Sequence, residues 1–228
     1  MKILVIDVGG TNVKLRLGEQ PEVRKLPSGP NMTAQQMAEG AKRLAVGWDY
    51  DAVSIGYPGP VVNGRVTREP FNLGRGWVDF DFAGAFGKPV RVINDAAMQA
   101  LGSYQGGRML FLGLGTGLGN CMILDGVIAP MELGHLPYKK GRTFEDYVGN
   151  AGMKRLGRRK WQSVVFDVIE RLRNALLPEY VVLGGGNVKK LDELPPGCRR
   201  GDNDNAFAGG VRLWETQPPI SDGRAERE

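Results

Sequence analysis

An apolar run, Ile3-Leu4-Val5-Ile6, ends in Asp7-Val8-Gly9-Gly10-Thr11-Asn12-Val13-Lys14, after which a second apolar stretch begins. No other segment constrains the chain as much. A buried strand that stops at a carboxylate, two glycines and a hydroxyl must turn sharply. Two glycines allow a tight turn and bring backbone N–H groups against an anion. Thr11, Asn12 and Lys14 add side-chain donors. Asp7 would be repelled by a bare phosphate, so its role in such a loop is to hold a magnesium ion, directly or through water. The segment reads as a seat for a metal-bound phosphoryl group. An ordinary Gly-Gly hairpin fits the same letters, and the loop by itself does not decide between them.

A second loop of the same kind follows. Residues 108–124, RMLFLGLGTGLGNCMIL, again run from an apolar strand into glycines and a threonine (Gly113, Gly115, Thr116, Gly117, Gly119), then into another apolar stretch. Neither loop ends in the glycine-lysine-Ser/Thr of a Walker A motif. Neither matches GxGxxG, and no helical pattern follows directly, which disfavours a dinucleotide fold. Two strand–loop–strand units about a hundred residues apart form a weak internal repeat. Facing each other, they would clamp a phosphate chain between two lobes.

Strand patterns occur at 2–8, 13–17, 51–57, 89–93, 108–114, 120–124 and 180–184. Asp125-Gly126 marks a hairpin into 127–130. Helical patterns occur near 33–46 and 95–105, and most clearly at 160–177, where Trp161, Val165, Val168, Leu172 and Leu176 share one face. Trp161 in that stripe reads as core. Strands interleaved with helices indicate an α/β architecture. The pair Asn94-Asp95, at the junction of a strand and a helix, reads locally as an N-cap. Val181-Val182-Leu183-Gly184-Gly185-Gly186-Asn187 is a buried strand ending in three glycines, either a turn or a surface for a ligand.

The 228 residues are 42% hydrophobic and 24% charged, a globular composition. No run approaches membrane-spanning length, and Met1-Lys2-Ile3 leads into a strand rather than a signal peptide. Cys121 and Cys198 cannot form a disulfide framework and are expected as reduced thiols in a cytoplasm. The net charge of +5 is localised. Residues 139–160 hold eight Lys/Arg against Glu145 and Asp146, a local +6 that leaves −1 for the rest. Such a stretch suits a polyanionic partner or a solvated helix face.

DVGGTNVK and LGLGTGLG resemble the two phosphate loops of the sugar-kinase, Hsp70 and actin superfamily. Asn94-Asp95 and Glu132-Leu133-Gly134-His135 narrow the resemblance to the ROK sugar kinases, from residue 2 to about residue 215. Within that family, SIGYPGPV, ELGH, VVLGGGNVKKL and NAFAGGVRLW look most like polyphosphate glucokinases. The resemblance implies a two-lobed, actin-like (ribonuclease H-like) ATPase fold with the site in the interlobe cleft. Residues 1–105 would form the small lobe, joined by a C-terminal helix at 204–215. Residues 106–203 would form the large lobe, and 217–228 a loose tail.

The resemblance also implies roles. Asp95 would be the general base for the sugar 6-hydroxyl, with Asn94, Glu132, His135 and Glu145 gripping the sugar. Gly9, Gly10, Thr11, Asn12, Lys14, Gly115, Thr116 and Gly117 would surround phosphates, and Gly184, Gly185 and Gly186 the adenosine side or a further stretch of phosphate chain. Asp7 would position Mg2+. Arg155, Arg158, Arg159 and Lys160 would touch polyphosphate beyond the reacting group. Many ROK proteins carry a three-cysteine zinc cluster after ELGH. Here residues 136–144 read LPYKKGRTF, so zinc is not expected. The expected activity is transfer of a phosphoryl group from polyphosphate, ATP or both to the 6-hydroxyl of glucose by a cytoplasmic homodimer that binds neither nucleic acid nor membrane. The alternatives are an ATP-dependent kinase of another hexose or an N-acetylhexosamine and, remotely, a ROK-type sugar-responsive regulator. The phosphate loop at residue 7 leaves no room before it for such a regulator's DNA-binding module.

Overall fold

A computed structural model describes residues 1–202 and 204–215. The 217–228 stretch expected as a tail lies outside them. The first half contains β1 (Ile3–Val8), β2 (Asn12–Leu17), β3 (Val23–Pro27), α1 (Ala34–Leu44), β4 (Ala52–Tyr57), the small hairpin β5 (Val61–Val62) and β6 (Arg65–Val66), α2 (Phe82–Phe86) and β7 (Val90–Asn94). Then come α3 (Asp95–Ser103), β8 (Arg108–Leu114), β9 (Leu118–Leu124), β10 (Val127–Pro130), α4 (Phe144–Val148), α5 (Asn150–Leu156), α6 (Arg158–Leu176), β11 (Tyr180–Gly184), β12 (Cys198–Arg200) and α7 (Asn205–Arg212).

The strands build two five-stranded sheets of the same design, ordered β3-β2-β1-β4-β7 and β10-β9-β8-β11-β12. Each is an antiparallel meander of three strands extended by two parallel ones. The repeat suggested by the two glycine loops is thus a repeat of whole sheets. The loop after β1 and the loop after β8 occupy equivalent places, each joining the meander's central strand to its neighbour.

Alternation along the central strands divides the core. Leu4 and Ile6 face α1 and the aromatic side chains of Trp77 and Phe82, while Ile3 and Val5 face α3 and α7. In the second sheet Met109 and Phe111 face α3, and Leu110 and Leu112 face α6. On α6 the buried stripe is Trp161, Val165, Val168, Ile169 and Leu172, and the indole N–H of Trp161 donates to the Val148 carbonyl at 2.7 Å. Trp161 is core, as its place in the stripe implied. The Asp125-Gly126 turn has φ values of 48° and 87°, the left-handed pair expected of that hairpin. Both cysteines are free, and burial pushes their thiols up, Cys121 to about 12 and Cys198 to about 11. Among the described residues no helix is long and apolar enough to cross a membrane.

Helices α3 and α7 lie in the layer between the sheets and touch backbone to backbone. A Cβ on Gly102 would stand 1.8 Å from the Asn205 carbonyl oxygen, and one on Gly209 would stand 1.8 Å from that of Met98. Neither partner is a side chain that can swing away. Gly209→Ala should therefore destabilise the protein by about 1–3 kcal/mol, as overpacking does, read as a fall in the urea midpoint. An unchanged midpoint would mean that the crossing tolerates the methyl group.

Candidate active site

Asp95 opens α3 directly after β7, at the seam between the two sheets. Its carboxylate accepts the Ala96 N–H at 2.7 Å. Burial, then the negative charge of Asp7, then that of Glu132 push its carboxyl up, to about 7. Those causes place three separately expected residues in one electrostatic neighbourhood: Asp7 at the end of β1, Asp95 on α3, and Glu132 beyond β10. Asn94 caps α3, its Oδ1 accepting the Ala97 N–H at 3.1 Å. Its Nδ2 donates to the Gly59 carbonyl at 3.0 Å, tying down the Pro58-Gly59-Pro60 loop. The N-cap reading of this pair is realised by Asn94, and Asp95 is left facing its carboxylate neighbours.

The first glycine loop is a tight connection in which Gly9 N–H donates to the Asn12 carbonyl at 3.1 Å. Ser28 braces it from β3's end, its hydroxyl donating to the Gly9 carbonyl at 2.6 Å and its N–H to that of Thr11 at 2.9 Å. The antiparallel register sets Lys14 across from Asp7, with 3.5 Å between ammonium and carboxylate. Burial raises the Asp7 carboxyl and Lys14 opposes the shift. Asn72 also lies against this loop, its Cβ 3.3 Å from where a Cβ on Gly10 would be. Nothing in the local sequence singled it out.

The second loop is held by asparagines. Asn187 Nδ2 donates to the Gly115 carbonyl at 2.9 Å and to Asn150 Oδ1 at 2.8 Å. Its N–H donates to Leu114, and the Asn150 N–H reaches the Gly115 and Thr116 carbonyls. Gly185, at φ 83°, packs so closely on Leu114 that a Cβ would stand 2.4 Å from its carbonyl oxygen. The triple glycine at 184–186 and the Gly115–Gly117 loop therefore form one surface.

Glu132, His135 and Glu145 come together. The imidazole Nε2 lies 3.5 Å from Glu132 and Nδ1 lies 3.5 Å from Glu145. Glu145 reaches the second loop, its Oε2 2.5 Å from where a Cβ on Gly117 would be. The carboxamide of buried Asn120 positions the ELGH turn, its Oδ1 accepting the Leu133 N–H at 3.2 Å and its Nδ2 donating to Leu118. Asn120, Asn150 and Asn187 are supports that motif reading missed, because the loops and turns they join lie 13 to 72 residues apart along the chain.

The basic residues divide. Arg155 donates to the Asp146 carbonyl and stacks on Tyr147, while Arg158 binds Asp192 and the Lys190 carbonyl. Arg159 and Lys160 are exposed, with no ion-pair partner among the described residues. A groove of about 770 Å³ lies elsewhere, between β7, the β5–β6 hairpin and β10, and none of the expected site residues lines it.

Asp95→Asn should affect stability and activity in opposite directions. A carboxyl raised in the folded state binds its proton more tightly there than when unfolded. Its charge destabilises the fold fully above about pH 7 and not at all below the ordinary aspartate range. The amide should raise stability at pH 8 by on the order of 2 kcal/mol, with the gain vanishing near pH 4. Turnover should fall by ~10²–10⁴-fold, the contribution of a positioned base. Thermal unfolding at both pH values and a kcat measurement check both, and near wild-type kcat would remove Asp95 from the mechanism.

No family model matches the chain. It is 29% identical over 216 residues to a polyphosphate glucokinase of Mycobacterium tuberculosis, covering 84% of this chain and 80% of that protein. It is 32% identical over 178 residues to a glucokinase of Pyrobaculum calidifontis, covering 67% of this chain and 58% of that protein. Among solved structures, the inorganic polyphosphate/ATP-glucomannokinase of Arthrobacter sp. strain KM superposes with a TM-score of 0.80 at 23% identity, over 95% of this chain and 99% of that one. A ROK family glucokinase of Streptomyces griseus, solved with glucose and AMPPNP, gives 0.72 at 17% identity, over 93% and 99%. The resemblance to ROK sugar kinases and polyphosphate glucokinases that the motifs carried is borne out, and the fold is the two-lobed actin-like one.

Proposed function

We propose that this chain is a ROK-type glucokinase that transfers a phosphoryl group from polyphosphate, ATP or both to the 6-hydroxyl of glucose. The observation that carries the reading is the half-buried carboxylate of Asp95, set between two glycine loops and beside the Glu132–His135–Glu145 cluster. The relatives' names agree with it: polyphosphate glucokinase, glucokinase, and polyphosphate/ATP-glucomannokinase.

In the proposed reaction Asp95 accepts the proton of the sugar hydroxyl as that oxygen attacks the terminal phosphorus. The leaving group is ADP or a polyphosphate shortened by one unit. Asn94, Glu132, His135 and Glu145 hold the sugar hydroxyls, carboxylates and imidazole being suited to accept several at once. The amides of Gly9, Gly10, Gly115 and Gly117, with Thr11, Asn12, Lys14 and Thr116, orient the phosphates; transfer of this kind depends mostly on position and charge neutralisation. Gly184–Gly186 extend that surface toward the donor's far end. Asp7 and Asp95 are two repelling carboxylates of the oxygen-ligand type that a hard divalent cation such as magnesium suits, with the Lys14 ammonium 3.5 Å from Asp7 already opposing part of that charge. Asp7 would hold the ion, and when bound it neutralises charge on the donor's phosphoryl oxygens.

The reading includes a cytoplasmic homodimer with no structural zinc, and lobes divided near residue 105. A coupled assay of glucose with ATP and with long-chain polyphosphate tests it. Glucose 6-phosphate should form with at least one donor, and failure with glucose but turnover of another hexose would favour the alternative acceptor.

The basic stretch supports polyphosphate. Helix α5 begins at the second loop through Asn150 and runs seven residues, or roughly 10 Å, to the basic turn before α6. A chain held at the loop and extended along α5 would reach Arg155, Arg158, Arg159 and Lys160. Neutralising these four should raise the polyphosphate KM strongly and the ATP KM little. A long polyanion releases counterions, so the polyphosphate KM should also rise steeply with salt. Equal effects on both donors would return the stretch to a solvated helix face.

A further inference from the structure

The segment between His135 and Glu145 is a small hairpin. Pro137 and Thr143 form a bridge, Tyr138 N–H donates to the Arg142 carbonyl at 2.8 Å, and Phe144 N–H donates to Leu136 at 3.0 Å. Lys140 and Gly141 turn it with φ values of 52° and 70°. His135 stands just before one arm and Glu145 just after the other, so the hairpin's attachment decides where both groups point. It is attached through Tyr138. The phenol ring packs between Phe144, with centroids 5.4 Å apart, and Tyr147, edge-on at 4.9 Å. The hydroxyl donates to the Asp167 carboxylate on α6. Asp167 is in turn paired with Arg171 at 3.0 Å and Lys139 at 3.6 Å, and the Lys139 ammonium donates to the same phenol oxygen at 2.7 Å. Arg171 and Lys139 also lie over the ring. None of these groups touches the expected sugar site. The network instead anchors its presenting hairpin to the longest helix of the second half.

We propose that Tyr138, clasped by Asp167, is a positioning residue that sets His135 and Glu145 for the acceptor sugar. The inference rests on the hexokinase reading above. It follows from the direction of the contacts. Tyr147 shares α4 with Glu145, Phe144 precedes Glu145, and Tyr138 lies one turn of chain after His135. Losing the phenol–carboxylate link frees the hairpin to move both sugar-facing groups together, while the first glycine loop keeps its Ser28 brace and the second its asparagine supports. The effect therefore belongs to the acceptor and not to the donor.

The test is steady-state kinetics of Tyr138→Phe, Asp167→Asn and the double variant, with glucose and donor varied in turn and Tm recorded. Each single change should raise the glucose KM roughly 5- to 10-fold, the net worth of one ordinary hydrogen bond. The donor KM should stay within about twofold, and kcat should change little. The double variant should be no worse than either single, since both cut the same link. Arg171→Gln leaves that link in place and should keep the glucose KM while lowering Tm. Glucose KM values unmoved in folded variants, or effects that multiply in the double, would overturn the inference alone. A wild-type chain that phosphorylates no hexose would overturn the kinase reading and the inference with it.

Discussion

The position of α3 is the constraint on which the rest depends. It is a helix of nine residues in the layer between two sheets, and its first residue is Asp95. It reaches that place because Gly102 and Gly209 let it cross α7 at backbone distance. On its other sides it packs against glycines of β4 and β9, with Met98 filling the space over Gly56. A Cβ on Gly56 would collide with Met98, and one on Gly119 would stand 3.0 Å from Ala96. A single methyl group at either glycine would have to force apart the α3–α7 pair, the helix that carries the carboxylate included. The fold thus sets the chemistry through close approach of backbones, and side-chain identity matters only once that approach is secured.

The two sheets share one plan but use their loops differently. In the first, Asp7 and Lys14 face each other across the hairpin, so the strand pair itself supplies the charged groups. In the second, the equivalent register pairs Gly113 with Gly119, and charge is brought in from elsewhere by the ELGH turn and α4. One half offers a carboxylate and an ammonium on fixed strands. The other offers bare backbone braced by Asn150 and Asn187, with Glu145 leaning on it. A duplicated scaffold has become two unlike walls.

Much of this was legible in the chain. Apolar runs located β1, β4, β8 and β11 because those strands are buried on both faces, and the Asp125-Gly126 turn and the α6 stripe were equally plain. β3 escaped because Val23-Arg24-Lys25-Leu26-Pro27 is an edge strand whose charges face water. The five-residue α4 and seven-residue α5 are too short for a periodic signal, and their boundaries lie at glycines. β5, β6 and β12 have only two or three residues each. At the site, Asp95, Glu132, His135 and Glu145 stood out through family resemblance, not through spacing. The asparagine supports and the Tyr138–Asp167 link could not be read at all, since each joins positions that only the folded chain brings together. Tyr138 and Asp167, for example, are 29 residues apart.

Electrostatics ties the two walls into one argument. Asp7, Asp95 and Glu132 crowd negative charge at the seam, and burial of Asp7 and Asp95 raises both carboxyls, while Glu132 stays exposed to water. Left to itself that cluster would repel the polyanionic donor the proposed reaction requires. Lys14 offsets part of it at the first loop, and the oriented amides of both loops offset more without adding a mobile charge. The basic residues Arg155, Arg158, Arg159 and Lys160 stand apart, at the end of α5 and the start of α6, where in the proposed reaction they attract a phosphate chain without pairing with Asp95 and pulling its carboxyl back down. In the proposed reaction, keeping these cations away from Asp95 lets one cleft hold a base and a polyanion together. A divalent cation held by Asp7 would add to the positive charge that Lys14 already brings to that wall.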